Sequence, residues 1–158
     1  MKRYLMTTLI VVAAAASASG QTATQTVTMQ VDAINLVSVA GTPSLTISAA
    51  VAGGAPTSVT STGNTWAVTT NQTGAKITAS IPTTMPTGVT LSANMGNPTG
   101  GSSAGYQTLG TTAVDLVTSV TKLNETGLSL SYKLDATSAA GTLSSTTRVV
   151  TFTITGGV

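Results

Sequence analysis

Apolar residues recur at every second position through much of this chain. Between residues 24 and 31, Val27, Met29 and Val31 alternate with Thr24, Thr26, Thr28 and Gln30. Leu128, Leu130, Tyr132 and Leu134 alternate in the same way with Ser129, Ser131, Lys133 and Asp135. Period-two alternation sends one set of side chains to each face of extended backbone, so both runs predict half-buried β-strands. Further runs predict strands at 34–39, 44–49, 65–69, 75–81, 89–95, 111–120 and 148–155. Glycine, proline and asparagine divide them. Residues 71–74 and 124–127 read as turns, 96–105 as a loop and 136–146 as a small-residue link. Pro82 and Pro86 end the strand before them, because proline cannot donate to a ladder. No stretch carries a sustained helical stripe. The prediction is an all-β fold: an immunoglobulin-like or jelly-roll-like antiparallel β-sandwich of about eight or nine strands.

Composition agrees with wet sheet faces. The chain has 34 Thr and 17 Ser among 158 residues, so about a third of it carries an aliphatic hydroxyl. Threonine suits a strand through its branched Cβ, and its hydroxyl suits the solvent face. Aromatic residues are few. Trp66, Tyr132 and Phe152 fall on inward positions and are the candidate core anchors, so the sheets are expected to pack closely around Val, Leu, Ile, Ala and Met.

The alternation fails at the start of the chain. Lys2 and Arg3 precede an apolar run at 5–16, followed by Ala18, Ser19 and Gly20. This is the layout of a secretory signal peptide covering 1–20, with cleavage before Gln21 or after Ala18. The run is too short for a stable transmembrane anchor. Removal leaves a single domain at 21–158, expected to be secreted, extracellular or at the cell surface. It also removes two of the six basic residues. Lys76, Lys122, Lys133 and Arg148 then balance Asp32, Asp115, Glu125 and Asp135, for a net charge of zero. No basic patch remains for nucleic acid. A neutral surface offers little repulsion between copies.

Candidate chemistry is sparse. The chain has no His and no Cys, which excludes the usual nucleophilic triads, zinc sites and disulfides. No cofactor or metal is expected, and no catalytic residue. Asp115, Glu125 and Asp135 fall beside turns or at outward positions, where solvated placement is the expected role. No loop has the carboxylate spacing of a calcium site. Asn71-Gln-Thr73 and Asn124-Glu-Thr126 match the glycan acceptor triplet, but turn chemistry explains both. A Lys-to-Asn amide crosslink through Lys76, Lys122 or Lys133 is also open.

The run at 22–31 stands directly behind the cleavage site. A terminal strand can complete its own sheet, or it can add to the edge of a neighbour. In the second case Val27, Met29 and Val31 are the inserted side chains. Alternation by itself does not distinguish the two.

Three segments carry a family resemblance: Gln25-Thr-Val-Thr-Met-Gln-Val31, Leu128-Ser-Leu-Ser-Tyr-Lys-Leu134, and Ala140-Gly-Thr142 followed by the closing strand through Val149, Phe152 and Ile154. In them the chain resembles secreted bacterial sandwich proteins of the spore-coat-U, fimbrial-subunit and WxL-like kind. It lacks the Cys pair of chaperone-usher pilins and the Trp-x-Leu of WxL domains, since Trp66 is followed by Ala67 and Val68. The resemblance implies an extracellular structural subunit polymerised through its N-terminal strand.

Three functions are therefore weighed. A pilus-like or fimbria-like filament subunit, with copies of itself as partners, predicts residues 22–31 outside their own sheets and a deep apolar groove. A monomeric adhesin or carbohydrate-binding module, with a surface or glycan ligand, predicts exposed Trp66 or Tyr106. A small secreted enzyme predicts two carboxylates about 5–10 Å apart in a cleft.

Overall fold

A computed structural model describes residues 20–158. The expected signal peptide lies outside the described residues except for Gly20. The chain divides into two compact units, Met1–Val31 and Asp32–Val158. Of the first, residues 20–31 are described; all are exposed, and none belongs to a strand or bridge. The strand expected at 24–31 is therefore not a member of any sheet here.

The second unit is a two-layer antiparallel β-sandwich. Among the described residues its strands are β1 (Asn35–Ala40), β2 (Val59–Thr70), β3 (Ala75–Ser80), β4 (Val89–Met95), β5 (Ser102–Ser103), β6 (Gln107–Thr108), β7 (Val114–Val120), β8 (Leu123–Ala136) and β9 (Thr151–Thr155). One sheet has the order β1-β2-β8-β4-β6 and the other β5-β7-β3-β9. Their inner faces meet around Trp66, Ile77, Ile81, Met95, Leu116, Val117 and Val120, all almost fully buried. Outer faces carry the hydroxyls: Lys76, Thr78 and Ser80 of β3 stand opposite Thr155, Thr153 and Thr151 of β9.

Two local expectations change. Residues 124–127 do not form a turn but lie inside β8. Trp66 pairs with Leu128 and Val68 with Glu125, so β8 holds one extra residue there. Gly127, at φ +70°, supplies the left-handed backbone that this bulge uses. The reversal comes earlier, between β7 and β8, where Lys122 has φ +40°. A second bulge lies between Ser61 and Asn64 of β2. Its polar groups are buried but satisfied: Asn64 Nδ2 donates to Ser61 Oγ at 3.1 Å, and the Tyr132 N–H donates to the same oxygen at 3.2 Å.

The other change concerns strand length. Residues 44–49 alternate in burial, with Leu45 and Ile47 half-buried between exposed neighbours, yet they form no strand. Only the bridge Ala50–Pro56 follows them. The closing strand begins at Thr151 rather than Arg148, although Arg148, Val150, Phe152 and Ile154 keep one half-buried phase. The cause is its neighbour. β3 ends at Ser80, opposite Thr151; Pro82 follows, and the Ile81 N–H turns away to Gly110 O at 2.9 Å.

The sandwich has two unlike poles. Short reversals at 71–74 and 121–122 join the sheets at one, where the chain also enters at Asp32 and ends at Val158. Asn71 secures that pole. Its Oδ1 accepts the Ile34 N–H at 2.8 Å and its Nδ2 donates to Asp32 O at 2.7 Å. The long connections 41–58, 81–88 and 137–150 all gather at the opposite pole.

Trp66 is the sole tryptophan and is 1% exposed. Trp66→Ala is expected to destabilise the fold by about 3–5 kcal/mol, through lost burial and a residual cavity. Urea unfolding followed by circular dichroism measures this. The native tryptophan emission should be blue-shifted and shielded from iodide.

Candidate functional site

At the short-turn pole a side-chain bond ties the edges of the two sheets together. Asn35 Nδ2, at the start of β1, donates to Gly156 O just after β9 at 3.2 Å. Beyond this clasp, β1 and β9 are edge strands of different sheets. The remaining two edges, β5 and β6, are only two residues long, which leaves little backbone for another chain to pair with. The open side of the sandwich is thus the side bounded by β1 and β9.

Between these edges runs a groove of about 790 Å³, lined by apolar side chains that include Leu45, Ile47, Met85, Leu134, Val150 and Phe152. The six are only half-buried. Five of them, all but Ile47, pack against the buried core and leave part of their surface to the groove. Such a volume also suits a small molecule. Residues of 44–49 and 143–150 line it, and among the described residues neither segment belongs to a ladder, although the Ala49 carbonyl accepts the Thr57 N–H at 2.8 Å. Backbone N–H and C=O groups in extended segments call for partners of their own kind.

One charged side chain lines it. Arg148 donates from one terminal nitrogen to Thr146 Oγ1 at 3.1 Å and to Thr147 O at 2.9 Å. Its Nε is buried without a hydrogen-bond partner.

The candidate residues separate into two groups. Val27, Met29 and Val31 are 66%, 86% and 82% exposed. Three apolar side chains in one phase left in water to this degree are costly, at roughly 1.5–3 kcal/mol of unrealised burial each. Of the core anchors, Trp66 and Tyr132 are buried. Phe152 is half-buried, and it lines the groove together with Tyr132. Burial raises the pKa of the Tyr132 phenol above its ordinary value. Sequence reasoning missed the groove's borders. The available signal was the alternation at 44–49, a strand pattern without an assigned partner.

The other candidate chemistry is dispersed. Asp115 pairs with Lys76 at 3.0 Å and Asp135 with Lys133 at 3.0 Å, all partly exposed. Glu125 accepts the Thr99 N–H through both oxygens, at 3.0 and 2.9 Å. Among the described residues no three metal-ligating side chains gather. Trp66 is buried, so it provides no sugar-stacking platform. Tyr106 is 43% exposed and its hydroxyl donates to Ser131 Oγ at 2.9 Å. The Asn71 side chain is occupied by its bonds to Asp32 and Ile34.

Family models, curated proteins and solved structures offer no match to this chain. The reading of the groove therefore stands on its geometry.

Asp135 supplies a check on the electrostatics near the groove. The hydrogen bond from Ser58, and then Lys133, hold its carboxyl below the usual value of 3.8. A depressed folded pKa adds stability that is present above the unfolded pKa and is lost as pH falls through the folded one. Ser58→Ala should move the Asp135 titration back up toward 3.8, as read by carboxyl-carbon NMR, and should shrink the loss of stability below about pH 4.

Proposed function

We propose that this protein is a non-enzymatic structural subunit of an extracellular or cell-surface filament. Residues 22–31 of one copy fill the groove of the next. One observation carries the reading: the groove lies among the long connections at the pole opposite the one where the chain enters the sandwich. A joint between a segment preceding Asp32 and a site at the far pole repeats head to tail, and a repeated heterologous contact of this kind builds a fibre.

The two parts fit chemically. The segment has three exposed apolar side chains and belongs to no strand among the described residues. The groove's apolar lining is only half-buried, and the extended segments along it belong to no ladder among the described residues. Insertion satisfies both at once, by strand addition. A mature chain with balanced charges resists such association little. The absence of cysteine also fits a subunit whose stability outside the cell comes from its core and its assembly.

The mature protein at high concentration is expected to form filaments visible by negative-stain electron microscopy. A variant lacking residues 21–31 should remain monomeric. If it still polymerised, the segment would not be the connector. A synthetic peptide of residues 21–32 should bind the truncated protein and, at a hundredfold excess over its Kd, stabilise it by about 2.7 kcal/mol. Met29→Asp in the peptide should weaken binding by about tenfold or more, since it buries a charge without a partner.

A further inference from the structure

We infer that the outer face of the sheet β1-β2-β8-β4-β6 carries a binding site for a neutral saccharide, with the Tyr106 ring as its stacking platform and Asn94 and Ser131 as its hydrogen-bonding flank.

The platform follows from register. β6 pairs antiparallel with β4, with Gln107 opposite Ala93 and Thr108 opposite Ser92. One residue earlier, Tyr106 stands opposite Asn94, and Asn94 stands opposite Ser131 of β8. Ala93 and Tyr132 belong to the core, so the row through Asn94 and Ser131 faces outward. Two strand spacings, about 9.5 Å, separate Tyr106 from Ser131. Even so, the Tyr106 hydroxyl donates to Ser131 Oγ at 2.9 Å. That reach needs the ring laid along the sheet, across β4. One ring face then rests on the sheet and the other meets solvent, in keeping with a side chain that is 43% exposed.

The ring is held at both ends. Its hydroxyl is tied to Ser131, and the backbone before it is braced. Gly105 takes the left-handed φ of +72°, and its N–H donates to Ser103 Oγ at 3.0 Å. Gln107 Nε2 donates to Ala104 O at 2.7 Å. A ring already fixed loses little freedom when a ligand stacks on it. Among the described residues Tyr106 is the only aromatic side chain in the open; Trp66 and Tyr132 are buried and Phe152 is half-buried.

The flank sets the ligand's chemistry. Asn94 Oδ1 accepts from Ser103 Oγ at 3.1 Å, which leaves the amide nitrogen as a donor. Ser131 Oγ accepts from Tyr106, which leaves its own hydroxyl hydrogen to donate. Thr108, next to β4 on the same face, is exposed. Further along β8 on that face, Lys133 and Asp135 are paired with each other at 3.0 Å, so their charges balance. An apolar ring beside neutral donors and acceptors complements an uncharged molecule with one flat C–H face and a rim of hydroxyls. A pyranose has both. Its C–H groups, slightly positive, settle on the negative face of the tyrosine ring, and its hydroxyls reach the amide and hydroxyl groups beside it.

This site is separate from the groove, which none of Tyr106, Asn94, Thr108 and Ser131 lines. A saccharide and a joint between copies can therefore be occupied together. Repetition of the site along a filament adds avidity for a polymeric glycan.

Titration calorimetry of the full mature chain tests the site, since it reads binding whether or not copies assemble. The probes are neutral hexasaccharides of glucose, mannose, galactose and N-acetylglucosamine, with a sulfated galactose oligomer as the charged comparison. At least one neutral probe should bind. Tyr106→Ala should weaken that binding by about tenfold or more, whereas Tyr106→Phe, which keeps the ring, should hold it within about threefold. Asn94→Asp keeps the acceptor for Ser103 and removes the donor, so it should weaken binding by about fivefold. Tryptophan emission and circular dichroism check that each variant is folded; if Tyr106→Ala is not, Asn94→Asp and Tyr106→Phe decide. No binding of any neutral probe, binding of the sulfated probe alone, or unchanged binding in a folded Tyr106→Ala or Asn94→Asp protein overturns the site.

Discussion

A strand needs a neighbour on each side unless water takes its place, and β9 is an edge strand of this sandwich beside the groove. β9 pairs with β3 along five residues and, among the described residues, is the last strand of its sheet. Where Pro82 draws β3 away, the chain at 147–150 keeps the burial phase of a strand while losing its last ladder partner. The same edge leaves Phe152, Val150 and Leu134 half-buried. Backbone outside the ladder and half-buried core residues meet at this one edge. Among the described residues it lies on the only side whose edges are longer than two residues.

The rest of the molecule tolerates this edge because the core elsewhere is complete. Trp66, Ile77, Leu116, Val117 and Val120 are almost wholly buried, and they lie on strands tied at the short-turn pole by tight reversals and by the Asn35–Gly156 bond. Inside, polar groups are mostly answered: Ser61 serves both Asn64 and the Tyr132 backbone. Among the described residues two buried side-chain groups are not, the Trp66 indole nitrogen and Arg148 Nε. The first sits in the packed core, where an unmade hydrogen bond costs on the order of 1–3 kcal/mol. The second lies on the groove, where a ligand can answer it.

Scarcity of charge becomes intelligible in this setting. The outer faces present threonine and serine in register across strands, so hydration comes from hydroxyls rather than from ion pairs. The two ion pairs among the described residues, Lys76–Asp115 and Lys133–Asp135, lie on partly exposed positions, where such pairs contribute at most about 1 kcal/mol. A surface of this kind repels neither water nor another copy of itself. It suits a fold whose free edge is its most reactive feature.

Alternation alone determined the all-β class, the strands at 75–81 and 89–95 to within a residue, and the inward placement of Trp66 and Tyr132. These follow from local rules, since side chains on extended backbone change face at every residue. Turn composition was a weaker guide: the Asn-Glu-Thr-Gly at 124–127 reads as a reversal, but β2 paired across it and made Gly127 a bulge. Only the tertiary structure decided which strand patterns found partners. Residues 24–31, 44–49 and 148–150 have the same alternation as the paired strands, yet pairing depends on which edges the topology brings alongside. That is a property of the whole sheet order, and no local pattern encodes it. The opposition of chain entrance and groove at two poles is likewise set by connection lengths and strand directions together.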